Sequence, residues 1–154
     1  MGGPITAMLD DIASCSSKGL GVTRLPFTQE HHTAAATIRK WMQDTGLAVH
    51  MDAAGTIIGR REGAEGGPTL LFGSHQDTVR HGGKYDGIMG VLLPILALRA
   101  IDDLQLPFSV QVMAFCCKTP PSGFLHRQGQ AIRLNSCWKH RLFGRCLRPQ
   151  GGVA

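Results

Sequence analysis

The sequence predicts an α/β fold, a partial mixed sheet with flanking helices. Three observations predict it. Apolar residues recur at helical spacing in two early segments. Two short segments of loosely alternating character then flank an Ala54-Gly55 turn, as a hairpin-like strand pair does. After residue 69 the order is apolar strand, glycine-rich loop, apolar helix, apolar strand, which calls for a crossover connection within one sheet.

Each element follows from its residues. Ile5, Met8, Leu9 and Ile12 mark a first short helix, and Ser16 to Gly21 reads as a loop. Thr28 is an N-cap, with Glu30 in the first turn where the helix dipole favours an anion. The helix it opens carries Ala34, Ile38, Trp41 and Thr45 on one face and ends at Gly46. Strands are expected over Leu47 to Asp52 and Thr56 to Arg60, then a charged loop from Arg61 to Pro68. Thr69 to Ser74 reads as a short central strand. From about Gly87 to Ile101 the chain is apolar nearly all round, so that helix is expected to be buried and kinked at Pro94. Phe108 to Phe115 is the last expected strand.

Composition divides the chain near Phe115. Residues 1–115 hold nine Lys/Arg against eleven Asp/Glu, whereas residues 116–154 hold seven Lys/Arg and no Asp or Glu. Four of the five cysteines, Cys116, Cys117, Cys137 and Cys146, also fall in the second stretch. The two stretches read as unlike sequences joined together. No apolar run reaches the length of a membrane span, the longest being Ile88 to Leu98. The start, MGGPITAMLDD, lacks a basic region followed by an apolar stretch, so a cytoplasmic protein with no membrane partner is expected.

The chemistry concentrates in GSHQDTVRHGGKYDGIMG, Gly73 to Gly90. His75 and Asp77 stand two apart at the end of a strand, a period that puts both side chains on one side. A neutral imidazole is a first-choice ligand for zinc or nickel, and a carboxylate on its other nitrogen fixes the tautomer. Asp86 lies nine residues beyond Asp77, across Gly82-Gly83 and before Gly87, so the loop can turn back to face His75. Its two oxygens could bridge two cations.

This string resembles the zinc-dependent amidohydrolase family that holds allantoate amidohydrolases and N-carbamoyl-L-amino-acid hydrolases, relatives of the co-catalytic aminoacylases and aminopeptidases. The resemblance runs from about Gly21 to Phe115. It takes in Gly21-Val22-Thr23-Arg24, Trp41-Met42, Asp52-Ala53-Ala54-Gly55, Ile58-Gly59-Arg60 and, above all, GSHQDT with GGKYDG. It implies a co-catalytic metallopeptidase-like domain with two divalent metal ions (Zn, Mn, Ni or Co) and hydrolysis of a linear amide or ureido C–N bond in a small-molecule substrate. It implies that His75 binds one metal, that Asp86 bridges both, and that Asp77 is the catalytic residue orienting the site. Allantoate and N-carbamoyl amino acids both remain open as substrates. The resemblance also implies a pair of glutamates after the last strand, one the general base and one a ligand; here the position reads Cys116-Cys117-Lys118. The family's later histidine ligands and its dimerisation domain, hence its homodimer, are not expected in this chain.

Other residues carry plainer expectations. His31 and His32 read as surface residues, His81 as a solvated turn residue, and Arg24 as a partner for a carboxylate in preference to substrate. Cys117, Cys137, His140 and Cys146 match no common zinc-finger spacing. The basic stretch, with Phe124, Trp138 and Phe143, carries no nucleic-acid-binding motif, so no nucleic-acid partner is expected. The expectation is therefore a catalytic-domain portion over residues 1–115, and a disordered or out-of-frame tail over 116–154, together inactive alone. The alternative is a non-enzymatic truncated gene product or a basic nucleic-acid-binding module.

Overall fold

A computed structural model describes residues 3–64 and 67–117. The elements are α1 (Pro4–Ser14), α2 (Gln29–Asp44), β1 (Ala48–Met51), β2 (Ile57–Arg61), β3 (Thr69–His75), α3 (Met89–Ala100) and β4 (Ser109–Phe115). The expectations for residues 118–154, including those on Cys137, His140 and Cys146, lie outside the described residues.

The four strands form one mixed sheet in the order β1-β2-β4-β3. β1 pairs antiparallel with β2, from Ala48 opposite Arg60 to Met51 opposite Ile57. β2 pairs antiparallel with β4. β3 runs parallel to β4, from Thr69 beside Ser109 to His75 beside Phe115, and α3 makes the crossover between them. The expected mixed α/β architecture is the one observed.

One sheet face holds the core. Ile57, Val110, Val112 and Ala114 share that face and cluster with Leu9 and Ile12 of α1, Ala34, Ile38 and Met42 of α2, and Val91, Leu92, Ile95 and Leu98 of α3. All three helices thus cover the same side, giving two layers. α2 starts where expected, with the Thr28 hydroxyl accepting from the His31 N–H, and Gly46 takes a φ of +76° just past its end. None of the helices among the described residues is long and apolar enough to cross a membrane.

Three expectations need correction. β3 is the edge strand of the sheet among the described residues, not a central one, and Leu70, Leu71 and Phe72 are 44%, 40% and 36% exposed. Apolar character reports what a strand can bury, and says nothing of which neighbours are at hand. α3 is not buried all round: it continues through Pro94, and Leu93 is half exposed on the side away from the sheet. In α2 the buried face needs Met42 added to it: Met42 is buried with Ala34, Ile38 and Thr45, and Trp41 packs partly buried against the same core, because positions three and four apart share a face.

Candidate functional site

The site gathers where β3 ends. His75 is the last residue of β3 and is held at its main chain by pairing with Phe115. Its ring Nδ1 lies 2.9 Å from the Asp77 carbonyl and 3.1 Å from Asp77 Oδ1. Both are acceptors, so Nδ1 carries the proton and the neutral ring presents its lone pair at Nε2. Nε2 faces Asp86 Oδ2 at 3.8 Å, beyond hydrogen-bond reach. An imidazole lone pair and a carboxylate oxygen thus converge on one space, which is the donor chemistry a divalent cation takes. Without a cation, the Asp77 carboxylate hydrogen-bonded to the ring raises the His75 pKa above the ordinary imidazole value. His75 and Asp77 are nearly buried, while the Asp86 side chain is 72% exposed.

Gly87 makes the approach between loop and strand feasible. Its φ is +73°, and a Cβ there would fall 2.5 Å from His75 Nε2. Any other residue would be strained and would displace the imidazole. Ile88 then donates to the Asp86 carbonyl and α3 begins, so Asp86 stands at the entrance to that helix.

The scaffold beneath the loop comes from Gly21 to Arg24. Val22 and Gly82 exchange main-chain hydrogen bonds of 2.9 and 2.8 Å. Thr78 accepts from the Arg24 N–H at its hydroxyl, donates that hydroxyl to the Val22 carbonyl, and donates its N–H to the Arg24 carbonyl. The Arg24 side chain is 2% exposed. The Asp77 carboxylate acts on it electrostatically, and its hydrogen bonds reach main-chain carbonyls as well: Nε donates to the Gln76 carbonyl, and Nη1 to the carbonyls of Ile12 and Cys15. Burial lowers its pKa from the usual guanidinium value, and the Cys15 and Asp77 side chains oppose that shift.

His31 corrects the sequence reading outright. It is buried, 3% exposed, and its Nε2 donates to the Cys116 carbonyl over 2.9 Å. The other ring nitrogen is buried with no hydrogen-bond partner among the described residues. Burial therefore lowers its pKa and keeps the ring neutral. A helix-start histidine beside a second histidine looks solvated in sequence; only the fold brings the end of β4 against it. Gln76, also fully buried, donates its main-chain N–H to the Phe115 carbonyl. His81 stays exposed in its turn as expected, with Nδ1 on the Leu20 carbonyl.

At the end of β4, Cys116 and Cys117 are free thiols. Desolvation first, and then Cys117 beside it, push the Cys116 thiol up to about 12. Burial, then the Asp77 charge, raises Cys117 as well. Both shifts favour the protonated thiol over the thiolate. Among the described residues no group of three or more His, Cys, Asp or Glu side chains is placed to hold a metal ion. The candidate donors that face each other are His75 Nε2 and Asp86 Oδ2, with Asp77 behind His75.

Comparisons with known proteins agree with the resemblance read from the motif. No family model matches the chain. An N-carbamoyl-L-amino-acid amidohydrolase of Pseudomonas sp. (strain NS671) is 41% identical over 103 residues, covering 65% of this chain and 25% of its own length. The allantoate amidohydrolase of Bacillus subtilis (strain 168) is 40% identical over 84 residues, 54% of this chain and 20% of its own length. A hydantoinase/carbamoylase family amidase from Burkholderia ambifaria superimposes with a TM-score of 0.67 at 30% identity, over 71% of this chain and 28% of that one. The chain is similar in sequence and in fold to amidohydrolases, and it spans about a quarter of the length of those relatives.

Proposed function

We propose that this chain carries one half of a metal site belonging to a hydrolase of linear amide or ureido C–N bonds. The carrying observation is the convergence of His75 Nε2 and Asp86 Oδ2 at 3.8 Å, with Asp77 fixing the ring so that Nε2 is the free nitrogen. The amidohydrolase relatives support the reaction class, and their printed activities make allantoate and N-carbamoyl-L-amino acids the substrates to try. In this reading His75 and Asp86 hold the divalent metal, and Asp77 orients His75. When bound, such cations polarise a substrate carbonyl and acidify water. The residues present fit a cation by donor type, while two donors fall short of the roughly four that zinc takes.

The chain's own groups do the remaining work. Asp77 holds the Nδ1 proton and so keeps the Nε2 lone pair aimed at Asp86. Gly87 lets the loop close against the ring. The end of β4 offers the Cys116 and Cys117 thiols, their pKa raised by burial, where a carboxylate base would be needed. We therefore infer that the 154-residue chain by itself does not turn over substrate.

The test is a zinc titration of the full chain followed by calorimetry. The wild-type chain is expected to bind weakly, and His75→Ala and Asp86→Ala each to weaken binding at least about tenfold, the least that losing even a ligand's hydrogen-bond partner typically costs. Uptake indifferent to both substitutions would sink the half-site. Ammonia release from allantoate or an N-carbamoyl-L-amino acid by the zinc-loaded chain would sink the inference of inactivity.

A further inference from the structure

Two contacts from α1 reach the two flanks of the loop that carries the half-site, and no motif reading accounts for them. On one flank, the Ile12 and Cys15 carbonyls at the C-terminal end of α1 accept from Arg24, whose Nε donates to the Gln76 carbonyl between His75 and Asp77. A helix C-terminus favours a cation there. On the other flank, Asp10 Oδ1 accepts from Lys84 Nζ at 2.7 Å, two residues before Asp86. α1 is itself fixed to the core by Leu9 and Ile12, 5% and 0% exposed.

We propose that α1 is a positioning element for the half-site, setting the approach of Asp86 to His75 through Lys84 and of Asp77 to His75 through Arg24. The two arms are chemically different. Arg24 is a buried guanidinium that ties three carbonyls together, so it fixes the turn from His75 to Asp77 rigidly. Lys84–Asp10 is a surface ion pair, with side chains 36% and 60% exposed, so it acts as an adjustable latch on the turn before Asp86. A helix whose sequence shows only amphipathic spacing thus acts on the donors without touching them. Its bearing on catalysis rests on the reading of His75 and Asp86 as metal donors.

Amide hydrogen exchange on the full chain tests the latch without metal. The reporters are Ile88 and Met89, which donate to the carbonyls of Asp86 and Tyr85 and so close the turn. Asp10→Lys is expected to raise exchange at these two amides about two- to fivefold, the range of a surface pair. The swapped pair, Asp10→Lys with Lys84→Asp, is expected to return it to the wild-type rate, with core amides such as Val112 unmoved throughout. A rate unchanged by the reversal, or unrestored by the swap, overturns the latch. Arg24→Lys tests the rigid arm by the nitrogen NMR signature of His75, which is expected to change from the single Nδ1–H tautomer to a mixture. A wild-type signature overturns that arm. Failure of the metal reading would show separately, as no zinc uptake by a wild-type chain whose loop responds as described.

Discussion

The two sides of β4 teach opposite lessons. On one side β4 pairs with β2, and the strip formed by Ile57, Val110, Val112 and Ala114 is sealed under α1, α2 and α3. On the other it pairs with β3, whose Leu70, Leu71 and Phe72 are as apolar as that strip yet are 36–44% exposed. The covered side derives stability from burial. The β3 side derives its order from seven residues of parallel pairing with β4, from α3 packed on it, and from the loop at its end. The half-site grows out of the less covered strand, at His75. Buried Gln76, Asp77 and Thr78 and the hydrogen bonds from Gly21–Arg24 hold the chain that leaves it.

The contrast predicts its own breaking points. Ile38→Ala, in the sealed core, is expected to cost about 2–5 kcal/mol in urea unfolding; a cost below about 1 kcal/mol would mean the helical layer does not carry the fold. Next comes Gly87→Ala, which adds a Cβ against the His75 ring at a φ of +73°. It is expected to cost about 1–3 kcal/mol and to abolish zinc binding, and wild-type zinc binding in this variant would refute the close packing.

Smaller effects separate the two histidines. His31 has a pKa lowered by burial, so its contribution to stability is fully present above about 6.5, its ordinary value, and is lost as pH falls through the depressed one. His75 has a raised pKa, held up by Asp77, so its contribution is present below about 6.5 and is lost as pH rises through the raised value. His31→Gln keeps a donor for the Cys116 carbonyl and is expected to reduce the loss of melting temperature between pH 7 and pH 5. An unchanged acid-side slope would show that His31 does not resist protonation. The smallest effect belongs to the open strand: Leu71→Lys is expected to change stability by no more than about 0.5 kcal/mol while raising solubility. A loss comparable with that of Ile38→Ala would erase the contrast between the two sides.

Much of this was legible in the sequence. Helix α2 and its Thr28 cap, the β1–β2 hairpin, and the β3–α3–β4 crossover all rest on period and turn chemistry, which are local. The pairing of Asp77 with His75 was legible for the same reason, since two residues at the end of a strand share a side. His31 was misread because its partner lies far along the chain, 85 residues away at Cys116, and the main-chain carbonyls that Arg24 also binds carry no side-chain signal in the sequence. No local pattern distinguishes a solvated histidine from one that caps a distant strand end.

The sequence by itself determined the element types, the amidohydrolase resemblance and the candidate donors His75 and Asp86, because those follow from side-chain chemistry at short spacing. Tertiary structure alone decided that β3 lies at an edge, that Arg24 binds carbonyls, that His31 is buried neutral, and that α1 reaches both flanks of the site. Those outcomes depend on which distant main-chain groups are left needing a donor once the sheet and helices have packed, and that demand is set only when the chain has folded.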